Sequence, residues 1–266
     1  MKAAGKRVVL THDVANTFMP RLSKSQLEEF WERGFITGLS VFDAGEVEAL
    51  RRGAEELFRE WRRDPPDGLG LEGRFPCILN LARTPAILDL VECILGPDIS
   101  LFNSQLVFKD AGEGEYFWHQ DATANHAEFL NPAAVPGGMP LTLRLWLAVD
   151  DADRGNGTLR IAPGSHKCGL LHHEEARWRD YDGAPRIPPA VFDASNAEYI
   201  ELKAGQFCLF HDLAVHGSDP NDSDRRRWAI SLHYTRPDVR FDPAFWPDIE
   251  PRPLRVRGCR PESIES

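Results

Sequence analysis

Residues Leu141–Val149 read LTLRLWLAV and carry the clearest strand pattern of the 266-residue chain. Leucine or valine occupies every second position, while threonine, arginine and tryptophan lie between them. Successive side chains of a strand point to opposite faces of a sheet, so this alternation is typical of a strand with one apolar face. The stretch therefore predicts that the middle of the chain is built from β-structure.

Similar short runs follow Pro97, and residues that favour turns separate them. The further strands predicted are Phe35–Leu39, Ser100–Lys109, Tyr116–Asp121, Thr158–Ala162, Tyr199–Leu202, Gln206–Asp212 and Trp228–Tyr234. About eight strands after a helical start favour a double-sheet jelly roll. We expect a mainly β fold with helices (α+β), in which a double-stranded β-helix (jelly roll, cupin-like) core carries N-terminal packing helices.

Three helices are predicted before the β-rich part. The first begins near Ser23, with Ser23 or Ser25 as its cap, and Glu28 follows Ser25 at the spacing of a capping box. Asp43 caps the second helix, and Asp64-Pro65-Pro66 ends it. The third helix spans Pro85–Leu95 and is closed by a Gly-Pro pair. Their apolar stripes indicate core packing.

The length fits one domain of generous size. We expect an N-terminal tail at residues 1–20, a single domain at residues 21–240 and a C-terminal surface segment at residues 241–266. Residues 170–197 are polar and have weak periodicity, which predicts a long irregular connection.

The composition excludes some classes of partner. A net charge of −10 disfavours nucleic-acid binding, which needs a basic face. No apolar run is long enough for a membrane span, and the N-terminus lacks the apolar segment of a secretory signal. The five cysteines (Cys77, Cys93, Cys168, Cys208 and Cys259) are widely spaced, which is typical of free thiols in a reducing compartment. We expect a cytoplasmic monomer or homodimer that acts on a small molecule.

One strand carries a candidate metal site. His119 and Asp121 are two residues apart, so on a strand both side chains point to the same face. His216, in a Val-His-Gly-Ser context, is the best candidate for a third ligand. Two histidines and one carboxylate on one side of iron(II) are typical of non-haem oxygenases. A His-x-Asp triplet alone is a weak signal, and a half-buried strand with a satisfied histidine explains it equally well.

Longer motifs give this site a context. Trp118–Asp121, Gly155–His166 and His216–Arg227 resemble, in this order, three motifs of the phytanoyl-CoA dioxygenase family of iron(II)/2-oxoglutarate-dependent oxygenases. The resemblance extends from about Leu22 to Tyr234. It implies a jelly-roll enzyme in which His119, Asp121 and His216 hold iron(II), with 2-oxoglutarate and O2 as cosubstrates.

The resemblance also implies roles for other residues. Arg227 would bind the far carboxylate of 2-oxoglutarate, because it lies eleven residues after His216 and a guanidinium matches a carboxylate. Its neighbours Arg225 and Arg226 are expected to face solvent, although all three could form one solvated patch. Further candidates for the cosubstrate pocket are Ser218, Trp146, Asn103 and Gln105, and those for substrate contacts are Trp118, Asn125, His126 and Arg144. Each of these also has an ordinary reading, as a packed aromatic or a strand or loop polar residue.

The family chemistry implies hydroxylation of an unactivated C–H bond, with release of succinate and CO2. The substrate expected from the family is natural-product or amino-acid-like, as in secondary metabolism, and neither ectoine nor a coenzyme-A thioester is favoured. Asp121 argues against halogenation, because related halogenases replace this carboxylate. Desaturation, cyclisation and epimerisation remain alternatives, as do a zinc hydrolase and a catalytically inactive jelly-roll binding protein. His166, His172 and His173 are interpreted as structural. His211 lies near the third ligand and could be mistaken for it, but only His216 has the Gly-Ser context and the arginine spacing.

Overall fold

The computed structural model describes residues 20–63, 71–125, 127–131, 133, 136–178, 181–242 and 253–258. Its helices are α1 (Lys24–Arg33), α2 (Ala44–Arg63), α3 (Pro76–Ala82), α4 (Pro85–Leu95) and α5 (Ala122–Asn125). Its strands are β1 (Phe35–Ser40), β2 (Ile99–Lys109), β3 (Tyr116–His119), β4 (Ala127–Phe129), β5 (Thr142–Ala148), β6 (Arg160–Ile161), β7 (Glu174–Trp178), β8 (Tyr181–Arg186), β9 (Glu198–Tyr199), β10 (Gln206–His211), β11 (His216–Ser218), β12 (Arg227–Thr235), β13 (Val239–Phe241) and β14 (Leu254–Arg257).

Two sheets form the body of the fold. The larger sheet has the order β1-β10-β5-β12-β2-β14, and the smaller one has the order β3-β11-β6-β9. All their strand pairs are antiparallel, and chain neighbours are separated within the sheets, as a jelly roll requires. The predicted mainly β fold with N-terminal packing helices is confirmed.

The larger sheet is buried on both faces. On β5, the predicted alternation directs Leu143, Leu145 and Leu147 outward into a core shared with the helices, while Trp146 packs between the two sheets. The same division applies to β12, where the even-numbered residues face the helices and Ala229 faces the interior. The interior face therefore holds the polar and aromatic positions that the sequence places between the leucines.

The helix boundaries follow local capping chemistry. Ser23 caps α1 and forms a capping box with Gln26, so the alternative with Ser25 and Glu28 is wrong. The side chain of Gln26 occupies the third helical position and reaches back to the Ser23 backbone N–H. Asp43 caps α2 as predicted, because its Oδ1 accepts from Glu46 N at 2.9 Å. The third predicted helix is α4, with the predicted bounds.

Short elements were missing from the sequence-based prediction. Residues 170–197, expected to be irregular, contain the hairpin of β7 and β8. Helix α3 and strand β11 were also absent, because seven and three residues are too few to show a periodic pattern. In the expected C-terminal surface segment, β14 pairs with β2 at the edge of the larger sheet.

Several expectations on the termini and thiols can be placed only in part. Residues 1–19 of the expected tail lie outside the described residues, and so does Cys259. The other four cysteines are free thiols, as predicted. Within the described ranges, no helix combines the length and apolar character needed to cross a bilayer. The division into tail, domain and surface segment stays a prediction.

Candidate metal centre

The three predicted ligands converge where the smaller sheet pairs β3 with β11. His119 is the last residue of β3 and lies directly opposite His216, the first residue of β11. Their Nε2 atoms lie 3.9 Å and 3.7 Å from Asp121 Oδ1. One ligand atom from each residue can be chosen so that all three lie within 4.8 Å of one another. In the described part of the chain, no other His/Cys/Asp/Glu group meets this criterion.

The imidazoles are oriented for metal binding. His119 Nδ1 donates to the carbonyl of Phe117 at 2.7 Å, and His216 Nδ1 donates to the carbonyl of Ala214 at 2.9 Å. Because the proton is held on Nδ1, Nε2 of each ring presents a lone pair toward Asp121. Asp121 Oδ2 is buried and has no hydrogen-bond partner among the described residues. These donors fit iron(II), which binds two imidazoles and one carboxylate and leaves coordination positions for cosubstrates.

The electrostatics keep the ligands in the metal-binding protonation state. Burial, together with the nearby His119, lowers the pKa of His216 to about 3. Burial likewise lowers the pKa of His119. Burial alone would raise the pKa of Asp121, but Arg144 and the surrounding histidines outweigh it and lower the value to about 2. At neutral pH the site therefore offers two neutral imidazoles and one carboxylate, which are the forms that bind a cation.

Gln120 lies between the ligands His119, at the end of β3, and Asp121, in the turn that follows, and it fixes their backbone. Its side chain is fully buried, and its Nε2 donates to the carbonyls of Gly169 at 2.9 Å and Leu213 at 2.7 Å. Its Oε1 accepts from Leu171 N at 2.8 Å. Its own N–H donates to His173 Nε2 at 3.1 Å. His173, interpreted as structural, thus supports the His-x-Asp segment directly.

Arg227 opens β12 and is 1% exposed. Its Cζ lies 5.4 Å from the centre of the Trp146 ring and 6.0 Å from that of Tyr116. The solvated-patch alternative is therefore wrong for Arg227. Arg225 is exposed and pairs with Asp153 at 2.8 Å, as expected.

Arg226 was expected to face solvent, but it is half-buried. Its guanidinium carbon lies 3.7 Å from the centre of the Trp228 ring, and its Nε donates to Asp150 at 3.0 Å. Trp228 belongs to the core that the larger sheet shares with the helices, and Arg226 also pairs with Glu55 of α2. Arg226 therefore covers the junction between α2 and the larger sheet.

Lys109 is a buried cation that the sequence did not single out. It lies directly opposite Arg227 in the β2–β12 ladder and is 0% exposed. Its Nζ donates to Ser218 Oγ at 2.7 Å and to the carbonyl of Asp219. Ser218, a predicted cosubstrate contact, is thereby held by a buried cation that lies opposite Arg227. The signal that would have identified Lys109 is the strand register, which a single sequence does not contain.

The other predicted contacts lie at different depths. Arg144 Nη2 donates to Asp121 Oδ1 at 2.6 Å, so Arg144 touches a ligand directly. Asn103 is buried on β2, and Gln105 is half-buried on the same strand. Trp118 is half-buried beneath the Arg160 guanidinium, at 5.1 Å from the ring centre. His126 and the side chain of Asn125 lie outside the described residues.

Four other histidines, His166, His172, His211 and His233, do not belong to the triad. His166, whose Nε2 meets the Trp31 carbonyl at 3.2 Å, and His211, whose Nε2 meets the Gly138 carbonyl at 3.1 Å, lie outside the triad. His172 is exposed. His233, which the sequence analysis passed over, is 3% exposed and lies on β12 opposite Arg144. Its position six residues after Arg227 places both on the same face of the strand.

Comparisons with known proteins agree with this geometry. The family model described as Phytanoyl-CoA dioxygenase (PhyH) matches residues 30–229. The peroxisomal phytanoyl-CoA dioxygenase of Rattus norvegicus is 30% identical over an alignment 280 residues long, which covers 91% of this chain and 73% of the rat protein. The match to the human protein of the same name covers 51% of that protein.

Two further similarities are informative. A probable alpha-ketoglutarate-dependent hypophosphite dioxygenase of Stutzerimonas stutzeri is 29% identical over 167 residues, which cover 62% of this chain and 55% of that protein. The solved structure of the apo form of ThoJ, a non-heme monooxygenase, superposes with a TM-score of 0.68 at 26% identity. That superposition covers 88% of this chain and 84% of ThoJ.

Proposed function

We propose that this chain, which belongs to the phytanoyl-CoA dioxygenase (PhyH) family of iron(II)/2-oxoglutarate-dependent oxygenases, hydroxylates an aliphatic carbon of a small molecule. The family match confirms the resemblance seen in the three motifs, and the relatives bear the names of dioxygenases. The small-molecule substrate class and the residue roles are our proposal.

The convergence of His119, Asp121 and His216 carries the proposal. With iron(II) held by these residues, 2-oxoglutarate and O2 supply the oxidation: a C–H bond becomes C–OH, and 2-oxoglutarate becomes succinate and CO2. The histidine tautomers and the unprotonated Asp121 mean that the chain needs no proton rearrangement to accept the cation.

Arg227 is proposed to bind the far carboxylate of 2-oxoglutarate. It is buried beneath the smaller sheet's Tyr116 and beside Trp146, where a carboxylate partner would be shielded from water. A charge-assisted pair in such surroundings is stronger than one at the surface. Ser218 and Trp146 are proposed to line the cosubstrate pocket, and Asn103 and Gln105 are proposed to donate hydrogen bonds to the cosubstrate.

Trp118 and Arg144 are proposed to contact the substrate, together with Asn125 and His126. Arg144 reaches Asp121 from the larger sheet, and Trp118 is half-buried at the smaller sheet next to the ligand His119 in sequence. Asp121 supports hydroxylation over halogenation, because related halogenases have no carboxylate at this position. Desaturation, cyclisation and epimerisation begin with the same hydrogen abstraction, so product analysis separates them.

We also propose that the chain acts in the cytoplasm, as a monomer or homodimer, without a nucleic-acid or membrane partner. The net charge of −10 supports this, because phosphate surfaces repel an acidic protein. The rivals are a zinc hydrolase and an inactive jelly-roll binding protein. Buried Arg227 speaks against the hydrolase, since hydrolysis gives this side chain no evident task.

The test is succinate formation from 2-oxoglutarate with iron(II) and ascorbate. We expect slow turnover without substrate, abolished in His216→Ala and retained in His172→Ala, which removes an exposed histidine outside the triad. A wild-type protein that neither binds 2-oxoglutarate nor forms succinate would contradict the enzyme assignment. Binding without turnover in the presence of iron(II) would favour the inactive binding protein.

A further inference from the structure

The inner face of β12 has two polar ends. Arg227 and His233 lie on this face six residues apart, a separation of about 20 Å along a strand. Asp121 is joined to Arg144, which lies directly opposite His233, so the metal ligands sit near the His233 end. The cosubstrate carboxylate assigned to Arg227 leaves this second end for another ligand.

Unpartnered polar atoms are concentrated at the His233 end. Asn103 Oδ1, Arg144 Nε, Ser231 Oγ and both ring nitrogens of His233 are buried and have no hydrogen-bond partner in the described structure. The four side chains are between 0% and 8% exposed. His233 lies opposite Asn103 on one side and Arg144 on the other, so three of the four share one layer of the sheet.

Such a cluster calls for an explanation. Buried polar groups are nearly always hydrogen-bonded, and leaving several unpaired in one place is costly in free energy. Apolar residues at these positions would pack without that cost. A ligand that accepts hydrogen bonds would pair Arg144 Nε, Ser231 Oγ and one ring nitrogen of His233, which are three of these five atoms.

The charge of the cluster selects the kind of ligand. Arg144 can only donate hydrogen bonds and always carries a positive charge, while a neutral His233 and Ser231 can donate as well. A divalent cation and Arg144 contribute three positive charges, against one negative charge from Asp121 and one from the chelating carboxylate of 2-oxoglutarate. One positive charge is left, which favours a single anionic group.

We propose that Arg144, His233 and Ser231 form a subsite for a carboxylate group of the organic substrate. This inference rests on the proposed oxygenase function and adds the substrate class: a small carboxylic acid. Anchored there, the acid presents carbons close to its own carboxylate to the metal centre. Reaction near the acid group, rather than at a remote chain end, follows from this placement.

The test uses the full chain loaded with manganese(II), which is paramagnetic and redox-silent here, and with 2-oxoglutarate. The probe is 13C-labelled acetate, whose relaxation is enhanced when it resides near the ion. We expect saturable enhancement for acetate and little for the neutral control acetamide. In His233→Phe and Ser231→Ala, acetate should bind about tenfold more weakly, the effect of losing a hydrogen bond to a charged group.

Controls separate the possible failures. His172→Phe makes the same substitution at an exposed histidine and should leave acetate binding unchanged. Melting temperature and the affinities for manganese and 2-oxoglutarate confirm that each variant is folded and loaded. If His233→Phe does not fold, Ser231→Ala carries the test. Acetate enhancement that is the same in both variants as in the wild type would mean coordination to the ion alone and would overturn the subsite.

Two further outcomes are decisive. Preference for phosphate over acetate in the parallel 31P measurement would refute the carboxylate assignment. A wild-type protein that binds neither manganese nor 2-oxoglutarate would refute the proposed function itself, whereas normal binding of both without an acetate effect would refute only the subsite.

Discussion

Replacing Gln120 by leucine tests whether the segment between His119 and Asp121 is held by its buried amide. Leucine has a similar volume but forms none of the three side-chain hydrogen bonds to the backbone of Gly169, Leu171 and Leu213. Each backbone group left unpaired in the interior costs about 1–2 kcal/mol, so the variant should lose about 3–6 kcal/mol of unfolding free energy. For a chain of this size that lowers the melting temperature by about 6 to 24 °C.

The same change should weaken metal binding. Residues that support metal ligands contribute about 10- to 100-fold in affinity, and Gln120 fixes the backbone of two ligands. Thermal unfolding and titration with manganese(II) measure the two effects. The control is Gln206→Leu, which removes one exposed hydrogen bond, from Lys203 N at 2.8 Å, and should cost about 1 kcal/mol or less.

Equal stability losses in Gln120→Leu and Gln206→Leu would refute the argument that the buried amide organises the site. A large loss of stability with unchanged manganese affinity would instead show that the ligands are positioned without it.

Two other predictions concern the roles of Asp121 and Arg227 and the close backbone approach at Gly157. Asp121→Ala should abolish succinate formation, whereas Arg227→Ala should raise the 2-oxoglutarate concentration needed by about 10- to 100-fold, the value of a charged hydrogen bond. Arg225→Ala is the exposed control. Equal small effects of Asp121→Ala and Arg227→Ala would contradict the assigned roles. Gly157→Ala should lower the free energy of unfolding in urea by about 2–5 kcal/mol, because φ is +69° and the added Cβ would lie 2.7 Å from a backbone oxygen. Gly38→Ala is the control: φ is +72° and no described atom lies within 4 Å of the added Cβ, so only the backbone cost of about 1–2 kcal/mol applies. Equal costs of the two changes would show that the approach at Gly157 is not tight.

The sequence predicted the parts of the fold that are written in local patterns. The alternation at Leu141–Val149 and the capping residue Asp43 correctly located a central strand and a helix start. The pair His119 and Asp121 was found from spacing alone, but His216 was selected only because a longer motif surrounds it. Strand β11 has three residues, so no periodicity marks it.

The residues that were missed depend on strand register. Lys109 matters because it lies opposite Arg227, and His233 matters because it lies opposite Arg144. Neither pairing can be read from one chain, since a shift of one residue would turn each side chain to the other face. The hairpin of β7 and β8 was missed because its mostly polar sequence shows no alternation of apolar and polar residues.

Strand β14 has a consequence for how the protein behaves when it is shortened. It pairs with Ile99, Ser100 and Leu101 at the outer side of β2, where the larger sheet would otherwise stop. Unpaired backbone amides and carbonyls on such a margin attract strands from other molecules. Chains truncated before Leu254 should therefore associate and precipitate even though every residue of the metal centre is still present.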